Sequence, residues 1–380
     1  MIPYARQNIS QSDIDAVIAV LKSDFLTQGP AVPAFEQAVA EYCRAKHGVA
    51  VNSATSALHV AYLALGLGPG DILWTSPNTF VASANCGLYC GAKVDFVDID
   101  PETLNMSVSA LQEKLELAEI RGCLPKVVVP VHFAGQSCQM REIKMLSQRY
   151  GFKIIEDASH AIGGKYLGKP VGCCEYSDIT VFSFHAVKIM TTGEGGMAMT
   201  NDLALAEKMQ LFRSHGITRD FPPLKKGGRG DLWYYEQITL GHNYRMTDIQ
   251  AALGLSQLKR LDEFVACRRR LATRYTKEFK EASVKMQCQH ENTDPAWHLY
   301  VIRVRERDRV FAALREKGIG VNVHYIPVHT QPYYQKLGFK WGNFPQAESY
   351  YQEAMTLPLY VGLNEEQQES VIANCRDYTS

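Results

Sequence analysis

Hydrophobic positions near the start of the chain recur at helical spacing. Ser10 and Ser12 precede apolar positions across 14–21, which predicts a capped helix. Turn residues at 25–30 break it, and a second helical pattern covers about 32–46. The pattern then changes: short apolar runs at 49–51, 72–75, 94–97, 127–131 and 153–156 alternate with helical stretches at 55–65, 80–89, 108–117 and 140–150. Strands alternating with helices of this kind predict βαβ units and a mostly parallel sheet. Two more short runs, 179–184 and 197–199, flank a loop that carries a lone lysine, Lys188, and a glycine-rich turn at 192–196.

Beyond Thr200 the pattern predicts a helix at 203–212, a polar, glycine-bearing segment at 217–241, and one long helix from 247 to about 279 that bridges two domains. A strand at 299–304, a helix at 310–317, a strand at 320–325 and helices near 347–355 and 365–373 follow. The chain has 380 residues, more than the roughly 250–300 at which single cores stop growing. The reading is therefore an α/β protein with a large domain over 1–245, and a bridging helix with a smaller α/β domain over 246–380.

Composition narrows the function. Hydrophobic residues make up 46% and charged residues 21%, as in an ordinary globular protein. Forty basic and forty acidic residues leave no net charge, which argues against a nucleic-acid partner. The one basic cluster, Arg268 to Arg270, falls in a helical pattern and reads as a solvated face. No apolar run approaches the ~18 residues a membrane span needs, and the N-terminus lacks a charged segment followed by an apolar one. Ten cysteines lack metal-ligand spacing and read as reduced thiols. These features predict a cytoplasmic protein with no metal site.

Three strand-to-helix or strand-to-loop connections carry the chemistry, and such connections line the ligand crevice of a parallel sheet. Asn52-Ser53-Ala54-Thr55-Ser56 opens a helix; its backbone N–H groups and hydroxyls suit a phosphate, or simply cap the helix. Asp157 ends an apolar strand; it either caps the next element or holds a protonated heterocyclic nitrogen. Ser183 extends the hydroxyl set, and Lys188 is either a surface charge or an amine presented to a pocket. Phe80, in the loop 77–80, can stack on a ring face or join the core. Phosphate cup, acid and amine in this order are the parts of a pyridoxal phosphate (PLP) site: the amine carries the cofactor, the acid keeps its ring nitrogen protonated, and the helix start holds its phosphate.

The same residues carry a resemblance. Asn52-Ser-Ala-Thr-Ser-Ala-Leu, Glu156-Asp-Ala-Ser-His, Ser183-Phe-His-Ala-Val-Lys188, Phe212-Arg-Ser-His-Gly216 and Gly241-His-Asn-Tyr-Arg-Met-Thr-Asp-Ile-Gln250 together resemble the DegT/DnrJ/StrS sugar aminotransferases, nearly from end to end. The resemblance implies fold type I of the PLP enzymes (aspartate aminotransferase-like) and a homodimer with shared active sites. It implies Lys188 as cofactor lysine and proton shuttle, Asp157 as the ring-nitrogen partner, and Thr55, Ser56 and Ser183 as phosphate ligands. It also implies that Asn243 reaches the partner subunit's cofactor, that Phe80 stacks on the ring, and that His160, where many members carry glutamine, bonds the ring hydroxyl.

Within the family the motifs look most like the pseudaminic acid branch. That implies transfer of an amino group from L-glutamate to the C4 ketone of a UDP-linked 4-keto-6-deoxy-N-acetylhexosamine. The implied sugar-nucleotide surfaces are the turn with Leu26 and Thr27, the loop with Arg229, and His324, Tyr325 and His329. The alternatives are amination of another nucleotide-linked 4-keto sugar, and a same-fold dehydratase, whose known members carry histidine in place of the lysine.

Overall fold

The computed structural model describes residues 1–218 and 234–379. Seven strands form one large sheet in the order His47–Val51, Gly196–Thr200, Ile179–Ser183, Lys153–Asp157, Val127–Val129, Ile72–Thr75, Lys93–Phe96. Gly196–Thr200 runs antiparallel to both of its neighbours; the other pairings are parallel. Apolar residues such as Val49, Val51, Val127, Val129, Ile155 and Val181 are fully buried within the sheet, as strands covered on both faces require. The βαβ reading of the first two hundred residues thus matches the fold.

One consequence of the register positions the site. His47–Val51, Ile179–Ser183 and Lys153–Asp157 point the same way, so Val51, Ser183 and Asp157 end on one edge of the sheet. Gly196 starts the reversed strand on that edge, paired with both Val51 and Ser183. A Cβ at Gly196 would lie 2.5 Å from the backbone nitrogen of Ala54. Only glycine lets the helix Ala54–Ala64 begin so close to the sheet.

Downstream, the structure corrects three expectations. The long bridging helix is two helices, Asp248–Leu258 and Leu261–Glu278, separated at Lys259 and Arg260. At the break, the Arg260 guanidinium reaches Asp13 Oδ2 at 2.5 Å, and Gln257 reaches the same oxygen at 2.8 Å. Asp13 is fully buried in the helix Gln11–Leu21, where an unpaired carboxylate would be costly. The stretch expected as a strand at 320–325 forms no strand and makes one isolated bridge, Asn322 to Thr356. The helix near 347–355 ends at Glu353, and Ala354–Leu357 is instead a buried strand on Tyr300–Arg303, whose other neighbour is Lys285–Met286.

One member of the basic cluster departs from the solvated reading, while Arg270 is exposed as expected. Arg268 is buried, and its guanidinium donates to the carbonyls of Trp297, His298 and Leu359. Five N–H donors allow one arginine to satisfy several carbonyls that meet in the interior. Among the described residues, no helix is long and apolar enough to cross a membrane.

Candidate active site

The sheet edge opens into a cavity of about 850 Å³, within the range of sites that hold a cofactor and a substrate. Of the residues singled out from the sequence, Thr55, Ser56, Phe80, Asp157, His160, Ser183, Lys188, His324 and Tyr325 all line it.

The helix start is a cap that also leaves backbone N–H groups free to meet an anion. Ser53 is the N-cap, accepting from Ser56 N at 3.1 Å; Ser56 Oγ donates to Asn52 Oδ1 at 2.6 Å. The capping reading therefore holds for Ser53. It leaves Ala54 and Thr55 as the first helical residues, whose N–H groups have no partner within the helix. With the positive end of the helix dipole behind them, they suit a phosphate.

Lys188 lies on the loop that leaves Ile179–Ser183. Phe184 N donates to Gly195 O, Thr192 N to Phe184 O, and Lys188 N to His185 O, which pins the loop at its base. Gly193 turns the chain with φ of +78°. Burial lowers the Lys188 ammonium from its ordinary value to about 8, with Asp157 opposing the shift. An amine so poised can lose and regain its proton near neutral pH. Asp157 is itself buried; its Oδ1 accepts from Ser159 N and Oγ, and its Oδ2 from Ser83 Oγ.

A histidine wall closes the other side. His160 Nε2 bonds Tyr325 Oη at 3.0 Å, and its ring lies 4.6 Å from that of His298. His324 Nδ1 bonds Thr356 Oγ1 at 2.8 Å. Burial, then the nearby Lys188 charge, pushes His160, His298 and His324 down, His324 to about 3. All three are neutral at physiological pH. The Nδ1 atoms of His160 and His298 are buried and lack a hydrogen-bond partner. Phe80 is 60% exposed, with its ring 6.4 Å from Tyr325. It is therefore no core residue, and a flat ring can rest on it.

Other expected residues fall elsewhere. His329 is fully buried and bonds Glu348 Oε1 at 2.8 Å; Glu348 also accepts from Gly342 N and Phe344 N. This corrects the assignment of His329 to the substrate surface: it is a packing residue. Leu26 and Thr27 lie outside the cavity of their own chain, beside Thr247 and Asp248. Asn243 is exposed and likewise outside it. Arg229 lies outside the described residues.

The sequence reading missed Tyr4, Ser83 and His298. Tyr4 reaches the cavity because Ile2 bridges Ile319 and Leu359 N donates to Tyr4 O, which ties the N-terminus against these later segments; its ring lies 5.7 Å from His324. No local pattern signals that placement. His185, which had no role, faces Glu194 at 3.8 Å on the exposed rim, a contact of little energetic weight.

An amine, a carboxylate and a helix N-terminus around one cavity are the donor set PLP requires. Comparison with known proteins agrees. Residues 7–376 match the DegT/DnrJ/EryC1/StrS aminotransferase family. The spore coat polysaccharide biosynthesis protein SpsC of Bacillus subtilis is 41% identical over 385 residues, covering 99% of this chain and 96% of SpsC. The UDP-4-amino-4,6-dideoxy-N-acetyl-beta-L-altrosamine transaminase of Campylobacter jejuni is 38% identical over 374 residues, covering 96% and 94%. Spr1654 of Streptococcus pneumoniae, solved in its PMP form, superposes with a TM-score of 0.91 at 30% identity, covering 100% and 99%.

Proposed function

We propose that this chain, which belongs to the DegT/DnrJ/EryC1/StrS family of PLP-dependent sugar aminotransferases, aminates the C4 ketone of a UDP-linked 4-keto-6-deoxy-N-acetylhexosamine with L-glutamate as donor. The product is UDP-4-amino-4,6-dideoxy-N-acetyl-β-L-altrosamine. The observation that carries the reading is the convergence of Lys188, Asp157 and the Ser53–Ser56 helix start on one cavity. The 38% relative of that name supports the substrate.

When bound, PLP supplies an electron-withdrawing ring that stores the amino group between half-reactions. The protein's own residues do the rest. Ala54 and Thr55 N–H, with the Thr55 and Ser183 hydroxyls, would hold the phosphate, joined by the Ser56 hydroxyl once its proton turns away from Asn52 Oδ1. Asp157 would accept the ring N–H, and Phe80 would cover one ring face. His160 and Tyr325, bonded to each other on the cavity wall, would orient the ring's polar edge. Lys188 Nζ, at about 8, would take up and return the proton at the sugar's C4, a task that needs a group both acidic and basic near the working pH. Tyr4 and His324, which line the cavity, would close it over the sugar.

The site reads as shared between two subunits. Asn243 can meet a phosphate only across such an interface, since it lies outside its own cavity. Exposed Phe25, Leu26, Tyr235, Ile238 and Leu240 provide apolar surface for it. A second reading is amination of a different nucleotide-linked 4-keto sugar, since the 41% identical SpsC is named for spore coat polysaccharide biosynthesis and not for the altrosamine product. The dehydratase reading is disfavoured by Lys188 itself. Incubation with glutamate and a panel of UDP- and dTDP-linked 4-keto sugars decides: turnover of the UDP-linked N-acetylhexosamine is expected, and turnover of dTDP-sugars alone refutes the substrate assignment.

A further inference from the structure

The two oxygens of Asp157 are held unequally. Oδ1 accepts two hydrogen bonds from Ser159, from its N–H at 3.1 Å and its hydroxyl at 2.6 Å. Oδ2 accepts one, from Ser83 Oγ at 2.6 Å. A carboxylate offers about four lone-pair directions, two on each oxygen. Oδ1 is therefore filled, and the one open direction belongs to Oδ2.

Ser159 is two residues from Asp157 and bonds it through a local turn. Ser83 arrives from another part of the sheet, 74 residues away in sequence, in the first turn of the helix Ala82–Tyr89. It is fully buried yet lines the cavity. Its one proton is spent on Asp157, so it accepts from Thr79 Oγ1 at 2.9 Å, and Thr79 is likewise buried and on the cavity wall. Tyr62 Oη donates to Ser83 O at 2.7 Å and fixes the backbone beneath. The result is a one-way donor chain, Thr79 to Ser83 to Asp157, in surroundings where each bond polarises the next.

We propose that Ser83 is a positioning residue for the cofactor: the Thr79–Ser83 relay clamps Asp157 so that the single open lone pair of Oδ2 is kept for the ring nitrogen of PLP. The proposal rests on the reading of Asp157 as that nitrogen's partner. The hydrogen bonds of the Ser83 hydroxyl run to Thr79, Phe80 O and Asp157, none of them in the phosphate site or on Lys188, so it acts through the carboxylate.

The test compares wild type with Ser83→Ala, Thr79→Val and Ser83→Thr. PLP dissociation is measured by titration of the cofactor-free protein, the visible spectrum of each holoprotein is followed with pH, and Tm is measured without cofactor. Removing a hydrogen bond to a charged group predicts roughly 10- to 100-fold weaker PLP binding in Ser83→Ala, with the midpoint of the spectral titration displaced. Thr79→Val shifts both readouts in the same direction by less. Ser83→Thr, which keeps the hydroxyl, returns affinity and midpoint toward wild type. A purely structural Ser83 would lower Tm and leave the midpoint unmoved. Binding within twofold of wild type and an unchanged midpoint in both Ser83→Ala and Thr79→Val overturn the proposal. If wild type itself takes no PLP onto Lys188, it is the reading of the site that fails.

Discussion

Replacing Lys188 by methionine should stabilise the cofactor-free protein at neutral pH. The side chain keeps its length and apolar stem, and only the ammonium is lost. In the fold that ammonium sits at about 8 against an ordinary lysine value of 10.5. At 1.36 kcal/mol per tenfold, burying the charge costs at most about 3 kcal/mol, and access of cavity water reduces this to about 1–2 kcal/mol. The sign follows from linkage: the folded value lies below the unfolded one, so the cost is present in full below about pH 8. It fades as pH rises toward 10.5, where the unfolded chain also gives up the proton. Urea denaturation of cofactor-free wild type and Lys188→Met at pH 7 and pH 10 measures it. The variant should be more stable at pH 7 by about 1–2 kcal/mol and by less at pH 10. A variant no more stable than wild type at pH 7, or a margin that does not shrink at pH 10, would refute the reasoning.

Two further outcomes follow from the geometry. Gly196→Ala places a methyl 2.5 Å from Ala54 N and Ser53 C, so the helix start must shift. PLP affinity should fall at least tenfold, and an affinity within twofold of wild type in a folded variant would show that the helix start does not hold the phosphate. His324 is depressed to about 3 by burial and the Lys188 charge, so its imidazole NMR signals in the cofactor-free protein should stay those of a neutral ring from pH 8 to pH 5. A midpoint near 6.5 would mean the wall is open to water.

The parts of the site that lie at strand ends were legible in the sequence. Asp157, Ser183 and Lys188 each follow a short apolar run, and a parallel sheet gathers such ends on one edge. What escaped was set by contacts distant in sequence. Tyr4 reaches the cavity through a bridge to Ile319, and Ser83 looked like an ordinary small residue in a helix until Asp157 was placed beside it. His329 misled for the opposite reason: it sits in a polar, proline-rich stretch, yet Glu348 draws it inside. The helix break at Arg260 was hidden because unbroken helical periodicity gives no sign of a buried Asp13 waiting for a partner. The strand Ala354–Leu357 was hidden because a short, mostly apolar run directly after a helix reads as its last turn.

The central claim is that Lys188 carries the cofactor. Incubating the protein with PLP, reducing with borohydride and mapping the modified peptide by mass spectrometry tests it directly. The account predicts one phosphopyridoxyl group, on Lys188, and none in Lys188→Ala. Stoichiometric labelling of another lysine, or an adduct retained in Lys188→Ala, would contradict it.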